Sequence, residues 1–230
     1  MQTITTRLGA VRARLEQACR DAERRPDAVE LLAVSKTQPA EAVRAAHAAG
    51  QRAFGENYVQ EALDKIAALA DLRSELTWHL IGPLQSNKTR VVAESFDWVH
   101  SVDRLKIAER LNDQRPAHLP ALNVCLQVNI SGEPSKSGLT PTQVLSLACA
   151  VDALPRLRLR GLMAIPEPAA DLAAQRAPHA ALRALFEDLK ASGLSRLDTL
   201  SMGMSADLEA AVLEGATIVR VGTAVFGARA

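Results

Sequence analysis

The chain has 230 residues, of which 48% are apolar and 23% are charged, and its formal net charge is +1. This length suits one domain with a substantial core, and the composition is typical of a globular protein rather than a disordered one. The balanced charge argues against a general binder of nucleic acid or of membrane surfaces. No apolar run approaches the roughly 18 residues of a membrane span.

The remaining composition points to an intracellular protein. The first thirty residues lack the apolar block of a signal peptide, and three widely spaced cysteines form neither a disulfide framework nor a zinc motif. Aromatic residues make up only 3%, which offers no obvious anchor for an interface. We therefore expect a cytoplasmic monomer that binds neither nucleic acid nor membranes.

The chain begins with a helical pattern and continues as alternating strands and helices. Leu8, Val11, Leu15 and Ala18 recur at helical spacing, and this N-terminal helix is expected to stop before Pro26. After it, apolar runs of strand length alternate with amphipathic stretches. Eight strands are predicted, each followed by a helix: 31–35, 52–55, 77–82, 98–101, 123–130, 160–165, 199–203 and 218–222.

Two of the predicted helices carry boundary signals. The helix after the first strand begins near Pro39 and ends at Gly50, the usual order of proline and glycine around a helix. The helix after the fifth strand opens with Thr140, Pro141 and Gln143, which together predict a capping box with proline at the first position.

Repeated strand–helix units predict a parallel sheet, because each crossover between parallel strands needs a helix. Eight units in roughly 200 residues fit a closed (β/α)₈ TIM barrel near its lower size limit. We therefore expect an α/β fold with a single TIM-barrel domain over residues 1–230 and an extra N-terminal helix. An open doubly wound sheet is less favoured, because no Gly-x-Gly-x-x-Gly follows the first strand.

In a barrel the functional groups lie at the carboxyl ends of the strands, which directs attention to Lys36. Lys36 ends the apolar first strand, where apolar walls lower the pKa of an amine and let it attack a carbonyl to form a Schiff base. The alternative is a surface lysine paired with a carboxylate. Lys65, Lys106 and Lys190 lie among other charges on predicted helices, and we expect them on solvated faces.

Arg220 and two loops complete a candidate ligand site. Arg220 interrupts the eighth strand, so it either pairs with a buried carboxylate or faces a ligand. The loop after strand seven, with Ser205 as the expected N-cap, and the Gly222-Thr223 turn after strand eight suit a phosphate, although simple tight turns would explain them too. A ligand with a phosphate and an aldehyde or ketone would use the lysine, the arginine and both loops.

Four further polar residues lie on or after neighbouring strands. Glu56 and Asn57 end strand two, and Glu56 either pairs with Lys36 or caps the next helix. His79 and His100 belong to neighbouring strands and are expected to face inward. We favour core histidines over a metal site there, since no metal-binding spacing occurs.

Seven ordered motifs resemble the pyridoxal 5′-phosphate (PLP) homeostasis protein family and span almost the whole chain. They are LAVSKT (32–37), FGENYVQE (54–61), HLIGPLQSNK (79–88), SKSG (135–138), GLMAI (161–165), LSMGMS (200–205) and VRVGT (219–223). The resemblance implies a barrel like the N-terminal domain of alanine racemase. It also implies PLP held as a Schiff base and a role in vitamin B6 homeostasis, with no established catalytic turnover.

The resemblance also implies a role for each site residue. Lys36 matches the Schiff-base lysine, Arg220 the partner of the pyridine nitrogen and Asn57 a side wall of the site. The implied phosphate contacts are Ser201, Met204, Ser205, Gly222 and Thr223. Gln38 departs from the family pattern, in which many members carry a second lysine, and we expect binding to survive that change.

The same residues favour a carrier over an enzyme. An arginine cannot accept a proton, so Arg220 implies an unprotonated ring nitrogen and a weaker electron sink. The racemase relatives also take a second base, a tyrosine, from a separate β domain. The chain ends just after strand eight, so we expect that domain to be absent, and its only tyrosine, Tyr58, lies on the Lys36 side.

We therefore predict a PLP carrier or buffer that serves apo-PLP enzymes. The alternatives are a single-domain amino-acid racemase, with His79 as the hidden second base, and a class I aldolase acting on a sugar phosphate.

Overall fold

The computed structural model describes residues 3–133 and 137–227, and its centre is a closed barrel of eight parallel strands. Each strand is hydrogen-bonded to the next in chain order, and the last pairs with the first. The predicted TIM barrel is confirmed, and the open sheet is excluded. The strands are β1 (Glu30–Val34), β2 (Ala53–Glu56), β3 (Thr77–Leu80), β4 (Trp98–Val102), β5 (Leu122–Gln127), β6 (Leu157–Met163), β7 (Thr199–Ser201) and β8 (Ile218–Val221).

An outer layer of helices surrounds the barrel. These helices are α1 (Ile4–Asp21), α2 (Ala40–Ala48), α3 (Val59–Ala68), α4 (Thr89–Ser95), α5 (Leu105–Gln114), α6 (Pro141–Asp152), α7 (Leu172–Ala191), α8 (Leu208–Leu213) and α9 (Thr223–Phe226). In this arrangement both faces of each strand are covered, which is why strands such as β1 read as continuous apolar runs.

The extra N-terminal helix α1 is confirmed, and its apolar stripe is buried as its spacing predicts. Leu8, Val11, Leu15 and Ala18 are all buried, and α1 packs against α2, α8 and α9. Arg7 adds hydrogen bonds to the main-chain oxygens at the end of the described chain, at 3.0 and 2.8 Å. The helix therefore belongs to the outer layer of the barrel.

The boundary signals are confirmed with one shift. Pro141 is the first residue of α6, and the Thr140 N–H donates to Gln143 Oε1 at 3.0 Å to form the expected capping box. Gly50 follows α2 with a φ of +87°, a left-handed conformation that glycine adopts without strain. Pro39, however, is the N-cap of α2 rather than its first helical residue.

Among residues 3–133 and 137–227, no helix combines the length and the hydropathy that crossing a membrane requires.

Candidate functional site

Three predicted site residues lie on, or just after, three adjacent strands. They are at the carboxyl ends of the strands, and we call this end of the barrel the mouth. Lys36 lies in the turn after β1 and is half-buried. Arg220 belongs to β8, which pairs with β1 on one side, and Asn57 follows β2, which pairs with β1 on the other. The parallel topology therefore brings these residues to one sector of the mouth.

The turn that carries Lys36 is held from both sides. Before it, the Ser35 N–H donates to Gly55 O at 3.0 Å, and the Ser35 hydroxyl donates to Glu56 Oε1 at 2.6 Å. After it, the Thr37 N–H donates to Glu61 Oε1 at 2.6 Å. Thr37 has a φ of +63°. This conformation costs a β-branched residue on the order of 1–3 kcal/mol, and it persists only where the surroundings enforce it.

A buried ion-pair cluster lies under this turn, and the expectation of a solvated Lys65 is wrong. Lys65 is only 5% exposed, and its ammonium donates to Glu56 Oε1 at 2.8 Å, to Glu61 Oε1 at 2.6 Å and to Ser35 O at 2.6 Å. Both alternatives for Glu56 are wrong, because its carboxylate bonds to Lys65 and Ser35 rather than pairing with Lys36 or capping α3. Burial raises the pKa of Glu56, and the Lys65 charge opposes that rise.

Arg220 is buried, yet the groups that accept its hydrogen bonds are uncharged. One Nη donates to Ser201 O at 2.6 Å and to Ser201 Oγ at 2.8 Å, and the other donates to Ala164 O at 2.8 Å. Burial lowers the pKa of Arg220 to about 10, so the guanidinium stays charged at neutral pH. Three of its five N–H groups are engaged in these bonds, and among residues 3–133 and 137–227 Nε and one Nη2 proton are left for a ligand.

A chain of uncharged side chains continues from Arg220 into the barrel. Ser201 Oγ lies 2.8 Å from His100 Nδ1, and His100 Nε2 lies 2.9 Å from His79 Nδ1. The guanidinium can only donate, so Ser201 Oγ accepts from it, and we assign the Ser201 hydroxyl as the donor to His100 Nδ1. His100 then carries its proton on Nε2 and donates it to His79 Nδ1, and His79 likewise carries its proton on Nε2. His79 Nε2 has no partner within the described ranges, and its ring stacks on Trp98 at 5.2 Å.

The two histidines face inward, as expected of core residues. Both are fully buried, and burial lowers the pKa of His79 to about 3 and that of His100 well below its ordinary value. In the described part of the chain, no group of three or more His, Cys, Asp or Glu side chains is arranged to hold a metal ion. The interpretation as core histidines is therefore favoured.

The loop after β7 differs from its expected form. The N-cap of α8 is Asp207, and the assignment of that role to Ser205 is wrong. Asp207 Oδ1 accepts the Met204 N–H at 2.7 Å, and Asp207 Oδ2 lies 2.9 Å from His179 Nε2. The carboxylate thus ties the loop back on itself, and α8 begins two residues later than a Ser205 N-cap would place it.

The loop after β8 is short and open to solvent. Gly222 is the N-cap of α9, and Thr223 begins that helix with an exposed side chain. The first N–H groups of a helix have no partner within it, so the chain here presents donors at the mouth. A Cβ on Gly222 would lie 3.2 Å from Val34 O. Because glycine has no Cβ, the chain after β8 can lie close to β1 at this point.

A pocket of about 290 Å³ opens beside Asn57. Its wall includes Asn57, Gly82, Gln127 and Ile165. Asn57 Oδ1 is buried without a partner among the described residues, and such an orphaned acceptor is costly unless a ligand or water meets it. The main chain of Asn57 can lie this close to residue 82 only because that residue is glycine, since a Cβ on Gly82 would lie 2.2 Å from Asn57 O.

Other predicted features fall outside the site or outside the description. Ser135 and Lys136 of the fourth motif lie outside the described residues. The larger cavity, of about 710 Å³, lies at the opposite end of the barrel and contains the bidentate pair of Arg160 with Asp198. Barrels work at the other face, so this cavity is not the functional site.

The sequence interpretation missed the support around the site. Lys65 and Glu61 lie four residues apart on α3, and that spacing signals a helix-surface pair without revealing burial. The link between His100 and Ser201 joins strands that are not neighbours in the sheet, and no sequence spacing encodes it.

Comparison with known proteins first defines the class. The family model described as "Alanine racemase, N-terminal domain" matches residues 6–230. Alanine racemase from Corynebacterium glutamicum superimposes with a TM-score of 0.72 over 96% of this chain and 61% of that chain, at 16% identity. That likeness shows the fold alone.

Closer relatives define the family. The "Pyridoxal phosphate homeostasis protein" of Pseudomonas aeruginosa is 66% identical over 229 residues, which is 100% of this chain and 97% of the relative. The structure of PipY from Synechococcus elongatus with PLP bound has a TM-score of 0.85 and 42% identity, over 98% of this chain and 100% of that chain. The chain belongs to the pyridoxal phosphate homeostasis protein family.

Proposed function

We propose that the protein binds PLP as a Schiff base on Lys36 and acts as a PLP carrier or buffer in vitamin B6 homeostasis. Its relatives are named pyridoxal phosphate homeostasis proteins, and PipY has been solved with PLP bound. PLP supplies an aldehyde that condenses with an amine and a ring that accepts electrons. In this proposal the Lys36 amine adds to the aldehyde carbon and one water leaves.

Arg220 is the observation that carries the proposal. A buried cation bonded to neutral groups, with two N–H donors to spare, suits an acceptor such as a pyridine nitrogen. Its strand pairs with the one that leads to Lys36, and we propose that one flat ligand contacts both residues. The unpartnered Asn57 Oδ1 adds a third polar group for the same ligand.

The residues that contact the phosphate stay a prediction, and the structure supports some of them better than others. Gly222 and Thr223 present a helix start at the mouth, and Ser205 lies half-buried in the loop after β7. The Met204 N–H already serves Asp207, and the Ser201 hydroxyl already serves Arg220 and His100. We therefore propose the first three as direct contacts. Met204 and Ser201 would need to exchange a present partner for the phosphate.

The carrier role rests on the proton chemistry of the site. A charged Arg220 cannot protonate a ring nitrogen and keep its own charge, so it favours holding PLP over activating it. His79, the second base required by the racemase alternative, is fully buried, and burial lowers its pKa to about 3. A fully buried imidazole stacked on Trp98 is poorly suited to exchange protons with a substrate at the mouth.

The remaining expectations are part of the same proposal. We propose that residues 1–230 form one domain, that the protein works in the cytoplasm as a monomer, and that apo-PLP enzymes receive its cargo. Slow stoichiometric release of PLP to an apo-enzyme would support the carrier role, and fast racemase turnover by the pure protein would contradict it.

The deciding experiment is the visible absorbance of the purified protein, followed by borohydride reduction and peptide mass mapping. We expect a yellow protein with one pyridoxyl group on the peptide that contains Lys36. A protein that stays colourless and cannot be trapped with added PLP would overturn the proposal and favour the aldolase alternative.

A further inference from the structure

The main chain on both sides of Lys36 is tied to a single buried ammonium group. Lys65 Nζ donates directly to the carbonyl of Ser35, the residue before Lys36, at 2.6 Å. It also donates to Glu61 Oε1 at 2.6 Å, and that same oxygen accepts the N–H of Thr37, the residue after Lys36, at 2.6 Å. One cation therefore connects to both peptide groups that flank the proposed attachment point.

Resting on the proposed Schiff base, we propose that Lys65 is a positioning residue for Lys36. It clamps the turn through Ser35 O and Glu61 and so sets the point from which the Lys36 amine enters the mouth. Glu61 transmits the clamp to Thr37, and Glu56 keeps the Lys65 ammonium in place from below.

The hydrogen bonds of Lys65 leave it no other role. An ammonium has three N–H donors and no acceptor, and all three are used, by Ser35 O, Glu56 Oε1 and Glu61 Oε1. Its side chain is 6% exposed, so water competes weakly for these bonds. Lys65 is thus a fixed structural cation rather than a second amine for the aldehyde.

The strained turn shows why a clamp is needed. Thr37 adopts a φ of +63°, which a β-branched residue keeps only where its surroundings enforce it. The Glu61 carboxylate provides a charge-assisted bond to the Thr37 N–H. Without the cluster the turn would relax toward ordinary backbone angles and carry the Lys36 side chain away from its place.

Stability alone is a poor reason for such a cluster. Buried ion pairs are often replaced by apolar residues with little loss of stability, because desolvation offsets their attraction. Glu56 Oε2 is even left without a partner in the described ranges. Positioning the turn that carries Lys36 accounts for these buried charges, which the packing of the core does not require.

The test separates capture of the aldehyde from binding of the rest of the ligand. Lys65→Met removes the ammonium at similar length, and Lys106→Met, on the exposed surface of α5, is the matched control. Each protein is mixed with PLP and quenched with borohydride over time, and the label is mapped to Lys36. Affinity for pyridoxine 5′-phosphate, whose alcohol cannot form a Schiff base, is measured in parallel.

We expect Lys65→Met to slow capture at Lys36 by about tenfold, because a misplaced amine rarely meets its target in a reactive geometry. The affinity for pyridoxine 5′-phosphate should change by less than about twofold, since Arg220 and the β8 loop are untouched. Lys106→Met should behave as the wild type. Equal loss of both readouts would show a collapsed mouth and overturn the proposal, as would no loss of either.

A milder variant covers the case in which Lys65→Met does not fold. Glu61→Gln keeps an oxygen for the Thr37 N–H but removes the attraction to Lys65, and the side chain is 30% exposed. We expect capture to slow by about threefold with unchanged affinity for pyridoxine 5′-phosphate. Unaltered capture in this variant would overturn the clamp. If the wild type itself is not labelled at Lys36, the proposed function fails instead.

Discussion

The two sides of the barrel mouth bury charge in opposite ways. On the Lys36 side, Lys65 lies between Glu56 and Glu61, so charge meets charge. On the Arg220 side, a guanidinium is bonded to two main-chain carbonyls and the hydroxyl of Ser201.

The difference shows what each side is built to do. Groups of opposite charge attract one another and use their hydrogen bonds to hold the backbone, which suits a turn that must stay in one place. Neutral hydrogen-bond partners orient the cation, and the Asp207 carboxylate acts on it only through space, which leaves N–H groups of Arg220 for a ligand. In the proposed function the first side positions the Lys36 amine, and the second presents a fixed charge to the ligand.

Loss of the amine itself should have the largest effect. We expect Lys36→Ala to abolish covalent labelling by PLP and borohydride, while the melting temperature shifts by less than about 2 °C, because the side chain lies in a half-exposed turn. Lys106→Ala, on an exposed helix face, is the control and should label normally. Labelling of Lys36→Ala at the wild-type level would move the attachment to another lysine.

Loss of the fixed charge should come next. Arg220→Ala removes the donor to the buried Ala164 O and one of the two donors to Ser201 O, so we expect the free energy of unfolding to fall by about 3 kcal/mol and PLP affinity to fall at least about tenfold. Affinity is read by equilibrium dialysis and stability by urea unfolding. Arg90→Ala, on the surface of α4, should change neither. Unchanged PLP affinity in Arg220→Ala would remove its assigned role.

The neutral histidine chain should make the Arg220 side sensitive to acid. The folded-state pKa of His79 is about 3, below the roughly 6.5 of an unfolded histidine, so the unfolded chain binds the proton first as the pH falls. The contribution of His79 is complete above pH 6.5 and decreases from there toward pH 3. At pH 5 it should have cost about 2 kcal/mol of stability.

The variant His79→Gln tests this sensitivity. Urea unfolding at pH 7 and pH 5 should show a smaller loss in this variant than in the wild type, by about 2 kcal/mol. Exposed His118→Gln is the control and should keep the full loss. The raised pKa of Glu56 acts in the opposite direction, since the folded state keeps that proton to higher pH. A wild-type-like loss in His79→Gln would contradict a buried neutral His79.

The smallest effect should come from Asn57, between the β2 and β3 ends of the mouth. Removing an acceptor that has no partner costs the folded protein little, so Asn57→Ala should keep its stability within about 0.5 kcal/mol. PLP affinity should fall by about threefold, because the ligand loses one hydrogen bond. A marked loss of stability with unchanged PLP affinity would make Asn57 a structural residue instead.

The sequence by itself determined the barrel and the strands on which the proposed site residues lie. Parallel strands need helical crossovers, so the alternation of apolar runs and amphipathic stretches predicted all eight strands in their order. The place of Lys36 and Arg220 at strand ends followed from that order. The strands and their ends follow from local spacing along the chain. The functional groups of such barrels lie at the carboxyl ends of the strands, so the strand ends indicate the candidate site.

Tertiary structure alone decided the surroundings of those residues. Lys65 looks like a surface lysine in the sequence, because helical spacing shows which residues share a face but not which carboxylate lies beneath it. The chain from Arg220 through Ser201 and His100 to His79 crosses four strands. Whether a charge is cancelled or left for a ligand depends on contacts between distant segments, and only the closed barrel brings those segments together.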